Sequence, residues 1–484
     1  MNALHKDLER LTAAAERQAA PAGPWRPAFH LAPPTGWLND PNGLCRFRDK
    51  YHVFYQYAPF DAGGGVKFWG HYQSRDLLSW EQCPVMLYGD EPYDLHGAYS
   101  GSALCEEDGL YLYYTGNVKH GGSYDYILDG RENNTAVAYS PDGVHLGWKR
   151  LLMGHGDYPG GLTRHVRDPK VWKQDGGYYM VLGARTVEDA GAALVFESKD
   201  KFQWTHINTI RTPSAFGYMW ECPDLFELDG QWFLAVSPQG APEKGPGFEN
   251  VYASGYFPLL GDFRGDCSLG AFVPFDFGFD FYAPQTFLDG SRRLLIGWMG
   301  MPDAEYRNPT VSQGWQHCLT VPRELRRNQD RLVMNPAPEL EALRETSREY
   351  GCEGGTAIDL PPLSDIQITC EGALSLDLSG VSLQAENGTL TLTVREGGYG
   401  RERRTAPVRE LRNLRILADT SALEFFVNDG EAVLSVRWYP EGEQRTLTLD
   451  GRGKAVVHKL RPMGIQTFPG GYDRAGQTDS GLIS

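Results

Sequence analysis

The sequence lacks the features that would place a chain in or on a membrane. It has no run of about 18 apolar residues. Its N-terminal stretch, Met1 to Ala20, is polar and charged and has no apolar core of signal-peptide length. These absences predict a cytoplasmic protein without a membrane partner. The formal net charge of −16 argues against nucleic acid and anionic membrane surfaces as partners, because both favour clustered lysine and arginine.

The spacings that mark metal, nucleotide and serine-nucleophile sites are also missing. The eight cysteines are scattered without a CxxC pair, and the twelve histidines show no ligand spacing. HExxH, P-loop and GxSxG motifs do not occur. We therefore expect reduced thiols and a protein that uses no metal and no cofactor.

Aromatic residues, glycine and proline are plentiful, as expected for short strands joined by turns. An aromatic segment follows a turn at five places, four of them Asp-Gly, and the turn aspartates are Asp49, Asp108, Asp175, Asp229 and Asp289. The successive spacings are 59, 67, 54 and 60 residues. This repeat predicts an all-β, five-bladed β-propeller. A β-sandwich is the alternative, but it requires no such period.

A polar residue precedes each of these turns by seven to nine positions. The five residues are Asp40, Ser100, Asp168, Glu221 and Asp280. Because equivalent residues of a propeller lie on equivalent strands around one channel, we expect these side chains to meet at one end of it. The repeat therefore predicts a central acidic pocket formed by residues that are distant in sequence.

The character of the sequence changes outside this repeat. Leu4, Leu8 and Leu11 have helical spacing, and a charged helix is predicted over Glu339–Arg348. Alternating apolar residues then predict a β-sandwich. The predicted divisions are a helical segment at 1–24, a propeller at 25–330, a linker at 331–350, a β-sandwich at 351–468 and a tail at 469–484.

Three of the expected pocket residues are carboxylic acids. They lie in Asn39-Asp40-Pro41-Asn42-Gly43, Arg167-Asp168-Pro169-Lys170 and Met219-Trp220-Glu221-Cys222-Pro223-Asp224. Hydrolysis of a glycosidic bond needs one carboxyl group to protonate the leaving oxygen and another to attack the anomeric carbon or activate water. A structural turn, an ion pair and ordinary strand packing are the alternative interpretations of the three motifs taken singly.

The surroundings of two of these acids suggest different roles. Asp40 follows the polar Asn39, and we expect it to stay ionised, as a nucleophile must. Glu221 lies between Trp220 and Cys222, and apolar surroundings would raise its pKa toward that of a working acid.

The three motifs resemble the hallmark motifs of glycoside hydrolase family 32, the invertases and fructanases. The resemblance covers nearly the whole chain and includes Phe54–Tyr57, Tyr99–Ser102, Tyr114–Asn117, Phe279–Gln285, Gly297–Met299 and Leu319–Leu325. It implies a five-bladed propeller with a C-terminal β-sandwich, and retaining hydrolysis of sucrose or sucrose 6-phosphate at fructose. Hydrolysis of fructans or fructo-oligosaccharides and fructosyl transfer remain alternatives, as does a non-catalytic sugar-binding propeller.

The resemblance also implies residue roles. Asp40 would be the nucleophile, Glu221 the acid/base and Asp168 the transition-state stabiliser. The implied sugar-binding residues are Asn39, Gln56, Trp69, Tyr99, Ser100, Arg167 and Trp298. The expected partner is therefore a small sugar, and the oligomeric state, a homo-oligomer included, stays open.

The sequence departs from the family pattern in one loop. Asp61–Gly65 stands where many relatives carry a tryptophan, which leaves the outer rim of the pocket undefined. Lys67, Arg185 and His317 are candidates for binding a 6-phosphate. Ordinary solvated surface positions are the alternative interpretation of each of these three residues.

Overall fold

The computed structural model describes residues 2–19, 23–442 and 444–466. The predicted tail at 469–484 lies outside these ranges. No helix of the described part is long and apolar enough to cross a membrane. The eight cysteines all fall within the described ranges and are unpaired.

The predicted N-terminal helix is present as α1 (Ala3–Arg17). The Asn2 side chain caps it by accepting a hydrogen bond from the His5 amide at 2.9 Å. The helix packs through His5, Thr12 and Ala13, whereas Leu4 and Leu11 are exposed. The leucine spacing thus indicated a helix correctly, but it does not mark the buried face.

Antiparallel hairpins make up two successive sheets in the first part of the chain. The first sheet contains β1 (Gly36–Phe47), β2 (Lys50–Ala58), β3 (Phe68–Ser74) and β4 (Ser79–Leu87). The second contains β5 (Ala98–Cys105), β6 (Leu110–Lys119), β7 (Arg131–Ser140) and β8 (Trp148–Met153). A 3₁₀ turn at His155–Asp157 leads into the third sheet.

Three further sheets continue the pattern. The third contains β9 (Leu162–Gln174), β10 (Gly177–Thr186), β11 (Gly191–Ser198) and β12 (Thr205–Ile210). The fourth contains β13 (Met219–Leu228), β14 (Gln231–Gln239), β15 (Gly255–Gly261), β16 (Cys267–Leu269) and β17 (Val273–Pro274). The fifth combines β18 (Tyr282–Asp289) and β19 (Arg292–Met299) with β21 (Cys318–Leu319), β22 (Arg323–Asn328) and β23 (Arg331–Pro336), while β20 (Trp315–Gln316) follows a 3₁₀ turn at Pro309–Gln313.

The sheets are arranged as a propeller, as predicted, and a late strand joins the first sheet. Strand β20 pairs in parallel with β1, placing Trp315 opposite Gly36, which links the end of the repeat region to its beginning. Two of the four predicted Asp-Gly turns, those at Asp175 and Asp229, have the expected backbone. Asp175 and Gly176 both have positive φ, 51° and 79°, the conformation that a two-residue hairpin turn requires.

A ten-stranded, sandwich-like sheet follows a 3₁₀ turn at Pro338–Leu343. Its strands are β24 (Arg344–Glu353), β25 (Thr356–Leu360), β26 (Ser364–Leu378), β27 (Val381–Glu386), β28 (Thr389–Val394), β29 (Arg403–Pro407), β30 (Asn413–Ala418), β31 (Ala422–Val427), β32 (Ala432–Arg437) and β33 (Arg445–Leu460). Strand β34 (Gly464–Gln466) returns to pair with β4. The helix predicted over Glu339–Arg348 is wrong, because strand pairing of β24 with β33 takes residues from Arg344 onward.

Buried ion pairs join the propeller to the sandwich-like sheet. Arg323 contacts Asp276 at 3.0 Å and Glu424 at 2.5 Å. His30 lies between Asp419 and Glu424, at 2.7 Å and 3.0 Å. We call the buried groups His30, Asp276, Asp280, Arg323, Arg401, Asp419 and Glu424 the interdomain cluster.

Candidate active site

A cavity of about 330 Å³ lies where the first strands of the sheets converge. Nine of the ten predicted site residues line it, namely Asn39, Asp40, Gln56, Tyr99, Ser100, Arg167, Asp168, Glu221 and Trp298. They come from β1, β2, β5, β9, β13 and β19. The structure therefore brings together acids that are up to 181 positions apart in the sequence, from Asp40 to Glu221.

Each of the five strands that begin a sheet has a break in pairing register beside the cavity. The breaks fall between Leu38 and Pro41, Tyr99 and Gly101, Arg167 and Lys170, Glu221 and Asp224, and Tyr282 and Gln285. Asp168, Cys222 and Ala283 have positive φ at these breaks, at 65°, 46° and 46°. A β-bulge bends the strand and re-aims its side chains. The recurring bulges thus orient the site residues toward the cavity.

Asp40 accepts hydrogen bonds from neighbours on three strands. The Ser100 hydroxyl donates to Oδ2 at 2.6 Å and the Asn39 amide donates to Oδ1 at 3.1 Å. The Cys222 thiol lies 3.5 Å from Oδ2. Burial raises the pKa of Asp40, and the charge of Glu221 acts in the same direction. The hydrogen bond from Asn39 lowers the pKa of Asp40, as expected from the sequence, but burial outweighs this effect.

Asp168 is held by backbone and side-chain contacts. Its amide donates to the Thr115 hydroxyl at 2.8 Å, and the Cys222 amide donates to its Oδ2 at 2.9 Å. Burial raises the pKa of Asp168 to about 7, against the lowering effect of Arg167. The negative charges of Glu221 and Asp40 also raise it.

Glu221 contacts two polar partners. Arg167 donates to its Oε1 at 2.6 Å, and the Tyr282 hydroxyl donates to its Oε2 at 2.7 Å. Of the two apolar neighbours expected to surround it, Cys222 lies within the site, 3.5 Å from Asp40 Oδ2, whereas Trp220 faces away. Trp220 packs against Phe257 at 5.6 Å, since adjacent strand residues face opposite sides of a sheet.

Two sequence-based assignments differ from the structure. Trp69 is fully buried and does not line the cavity; its indole donates to the Tyr99 carbonyl at 3.1 Å, behind the wall. Asp280 is also fully buried and pairs with Arg401 at 2.7 Å in the interdomain cluster. Tyr282 takes the cavity position in the fifth sheet.

The three candidates for binding a phosphate differ in position. His317 is buried edge-on against Trp37, and burial lowers its pKa well below the ordinary histidine value. Arg185 pairs with Asp189 at 2.7 Å and is not among the lining residues. Lys67 does line the cavity, and its ammonium lies 4.7 Å from the ring centre of Trp37.

Sequence reasoning missed several lining residues. These are Trp37, Arg131, Asn133, Gln239, Tyr282, Pro302 and Asp303. Trp37 and Tyr282 stand inside recognised motifs, which could have pointed to them. Arg131 and Asn133 lie on β7, the third strand of its sheet, where the repeat of first strands gives no signal.

The cavity contains no arrangement suited to a metal. Across residues 2–19, 23–442 and 444–466, no group of three or more His, Cys, Asp or Glu side chains could hold a metal ion. The ionisable side chains that line the cavity are three carboxylic acids at its centre, Asp303, the arginines Arg131 and Arg167, Lys67, and the phenols of Tyr99 and Tyr282.

Family models match most of the chain. The model of the glycosyl hydrolases family 32 N-terminal domain covers residues 30–336, and that of the family 32 C-terminal region covers residues 374–461. The sucrose-6-phosphate hydrolase of Bacillus subtilis (strain 168) is 38% identical over 460 residues, covering 91% of this chain and 94% of the relative. The protein belongs to glycosyl hydrolase family 32.

Solved structures agree with this assignment. The sucrose-6-phosphate hydrolase from Lactobacillus gasseri superposes with a TM-score of 0.85 at 25% identity, covering 94% of this chain and 96% of that one. A variant of the Bombyx mori GH32 beta-fructofuranosidase in complex with sucrose has a TM-score of 0.84 at 30% identity, covering 96% and 100%.

Proposed function

We propose that the protein is a β-fructofuranosidase that hydrolyses sucrose and sucrose 6-phosphate with retention, releasing fructose. The observation that carries this proposal is the meeting of Asp40, Asp168 and Glu221, from three separate sheets, in one cavity. The relatives described as sucrose-6-phosphate hydrolases and the sucrose-bound relative support the substrate class.

In the first step, a carboxylate oxygen of Asp40 attacks the anomeric carbon of fructose. Glu221 donates its proton to the glycosidic oxygen, and the bond from that oxygen to the anomeric carbon breaks. In the second step Glu221 removes a proton from water, which attacks the same carbon and releases fructose from Asp40. Two displacements at one carbon leave its configuration unchanged.

Hydrogen bonds fix the two reacting carboxyl groups. The Ser100 hydroxyl and the Asn39 amide each hold one oxygen of Asp40. Tyr282 and Arg167 each hold one oxygen of Glu221. Orienting the groups before the substrate arrives lowers the entropy cost of reaching the transition state.

Asp168 and Arg167 act on the fructosyl ring as positioning and charge-balancing groups. When ionised, Asp168 accepts hydrogen bonds from fructose hydroxyls and offsets the positive charge that develops at the anomeric carbon. Because the pKa of Asp168 is raised to about 7, its charged fraction falls as the pH drops below 7. We therefore expect kcat/KM, which reports on the free enzyme, to fall on the acid side of its pH profile.

We also propose five blades for the propeller. Each of the five sheets before Ala337 contains a run of four antiparallel strands, which supports that count. We also propose the predicted division into a propeller at 25–330 and a sandwich at 351–468, with a shorter linker between them. Strand β23 pairs with β22 and strand β24 pairs with β33, so little of the predicted linker at 331–350 stays outside a sheet. The cytoplasmic location stays a prediction from the sequence.

The proposed function is tested with sucrose, sucrose 6-phosphate, raffinose and inulin as parallel substrates for the purified protein. We expect fructose release from sucrose and sucrose 6-phosphate, with kcat/KM at least tenfold lower on inulin. A protein that cleaves neither sucrose nor sucrose 6-phosphate would refute the proposal. Equal rates on inulin would favour the fructan-hydrolase alternative.

A further inference from the structure

One side of the cavity carries polar groups that the proposed mechanism does not use. Arg131 and Asn133 both line the cavity and stand two positions apart on β7, so their side chains share a face of that strand. Asn133 is only 3% exposed. Neither its amide nitrogen nor its amide oxygen has a hydrogen-bond partner among the described residues.

An unpaired, buried amide facing a cavity calls for an explanation, because buried polar groups are almost always hydrogen-bonded. The adjacent residue shows the contrast. Asn134 faces the other side of the strand, and its amide donates to the Tyr93 carbonyl at 3.1 Å and to Glu132 at 3.3 Å. The free donor and acceptor of Asn133 are therefore available to a ligand in the cavity.

Arg131 adds an unbalanced positive charge at the same place. Within the described chain it forms no ion pair with a carboxylate, and its buried Nε has no partner. Its side-chain hydrogen-bond partner is His165, 3.3 Å from Nη1. Burial and the positive charges of Arg167, Arg131 and Arg185 together lower the pKa of His165 to about 3. A cationic region thus exists in a protein whose net charge is −16.

The position of this region relates it to the leaving sugar. Glu221, the proposed proton donor to the leaving oxygen, contacts Arg167. Arg167 contacts Nδ1 of His165 at 2.7 Å, and His165 contacts Arg131. This row of side chains connects the proposed proton donor to Arg131. In sucrose 6-phosphate, the phosphate is carried by the glucosyl part, on the leaving side of that oxygen.

We propose that Arg131 and Asn133 form the subsite that binds the phosphate of a phosphorylated leaving sugar. The inference rests on the proposed function and adds that these two residues give the protein a preference for sucrose 6-phosphate over sucrose. A guanidinium presents several donors in a plane that matches phosphate oxygens. The Asn133 amide nitrogen supplies a further donor, and its oxygen can accept a sugar hydroxyl.

Lys67 is the competing cation on the rim. Two carboxylates, Asp40 and Asp61, lie close enough to raise its pKa, although burial lowers it to about 8. Its charge is therefore partly balanced and adjoins the nucleophile. Arg131 has no carboxylate partner and does not adjoin the nucleophile, which makes it the better match for a phosphate dianion.

The test measures kcat/KM on sucrose and on sucrose 6-phosphate for the wild-type protein and for Arg131→Gln, Asn133→Ala and Lys67→Met. Arg185→Gln is the matched control, since it removes a nearby arginine that does not line the cavity. We expect Arg131→Gln to lower the preference for sucrose 6-phosphate over sucrose on the order of 10- to 100-fold. Asn133→Ala should lower it less, and Arg185→Gln should leave it within about twofold.

Inhibition of sucrose hydrolysis by glucose 6-phosphate and by glucose provides a second readout. In the wild-type protein glucose 6-phosphate should inhibit more strongly, and Arg131→Gln should remove the difference. Arg131→Lys should restore only part of it, because an ammonium keeps the charge without the planar donor set.

Two results would overturn the inference while leaving the proposed function intact. One is hydrolysis of both substrates with an unchanged preference in Arg131→Gln. The other is a loss of preference in Lys67→Met instead, which would assign the phosphate to the other side of the rim. A wild-type protein that cleaves neither sugar would refute the proposed function itself.

Discussion

Two groups of buried carboxylates, one in the cavity and one in the interdomain cluster, have opposite electrostatic surroundings. In the interdomain cluster, the pKa values of Asp419 and Glu424 are lowered despite burial, by hydrogen bonds and charges of His30 and Arg323. In the cavity, the pKa values of Asp40 and Asp168 are raised, because burial and neighbouring acids outweigh Arg167 and the hydrogen bonds.

This difference indicates that the paired carboxylates of the interdomain cluster contribute to stability, whereas those of the cavity contribute to function. A paired carboxylate stabilises the folded state, whereas an insufficiently paired one costs free energy of folding and is retained where chemistry needs it. Asp276 is an exception within the interdomain cluster, since burial raises its pKa although Arg323 is 3.0 Å away. The comparison predicts that substitutions in the cavity mainly change activity and substitutions of Asp419 or Glu424 mainly change stability.

Asp40→Asn tests the cavity side of the comparison and should give the largest effect. Removing the nucleophile should lower kcat on the order of 10⁴-fold or more. The thermal midpoint should stay unchanged or rise, because the substitution removes the repulsion between Asp40 and Glu221. Steady-state kinetics and a melting curve on one preparation check both statements. Residual activity above a hundredth of the wild-type value would exclude Asp40 as the nucleophile.

Glu424→Gln tests the interdomain cluster, the other group of carboxylates in the comparison. It leaves the buried charges of Arg323 and His30 without their common partner, which should cost about 3–5 kcal/mol of unfolding free energy. Denaturant titration measures the loss. Glu371→Gln, on an exposed position of the sandwich-like sheet, is the control and should change stability by less than about 0.5 kcal/mol. Equal effects of the two substitutions would contradict the account.

Asp168→Asn should have opposite effects on stability and activity. The folded state holds the proton of Asp168 up to about pH 7, against 3.8 for an ordinary aspartate, so this residue lowers stability as the pH rises between those values. The variant should therefore be more stable at pH 8, by at most about 4 kcal/mol, and gain little below pH 4. Its kcat should fall sharply.

Denaturation at both pH values measures this difference, with the exposed Asp359→Asn as the matched control. A stability gain that is the same at pH 4 and pH 8 would show that the raised pKa of Asp168 is not its cause.

Tyr282→Phe should give the smallest effect. It removes the 2.7 Å hydrogen bond to Glu221 and leaves the ring in place. The loss of one such bond should lower kcat/KM about 3- to 30-fold. Stability should change little, since the ring packing against Trp298 at 6.3 Å is kept. An unchanged kcat/KM would show that Arg167 alone is sufficient to position Glu221.

Much of the site could be predicted from the repeat, because the turn aspartates fix where each sheet begins. In the fifth sheet the repeat could not locate the residue that faces the cavity, since β-bulges change the spacing. Asp40 precedes its turn by nine positions on a strand with two register breaks, whereas Tyr282 precedes its turn by seven positions on a strand with one. Asp280 matches the first spacing and was therefore assigned wrongly.

Other features depended on contacts that no local pattern contains. Trp69 was implied by the family resemblance alone, and its indole donates to the carbonyl of Tyr99 from the next sheet instead of lining the cavity. Arg131 and Asn133 come from the third strand of their sheet, and only the folded chain brings them to the cavity. The hydrogen-bond partners of Glu221 come from β9 and β18, so its sequence neighbours could not reveal them.

The stereochemistry of fructosyl transfer to methanol tests the central claim most directly. If Asp40 attacks and Glu221 acts first as acid and then as base, sucrose and methanol should yield methyl β-fructofuranoside, identified by NMR spectroscopy of the early product. Methyl α-fructofuranoside would contradict the account, because a single displacement by the acceptor would then have replaced the covalent intermediate on Asp40.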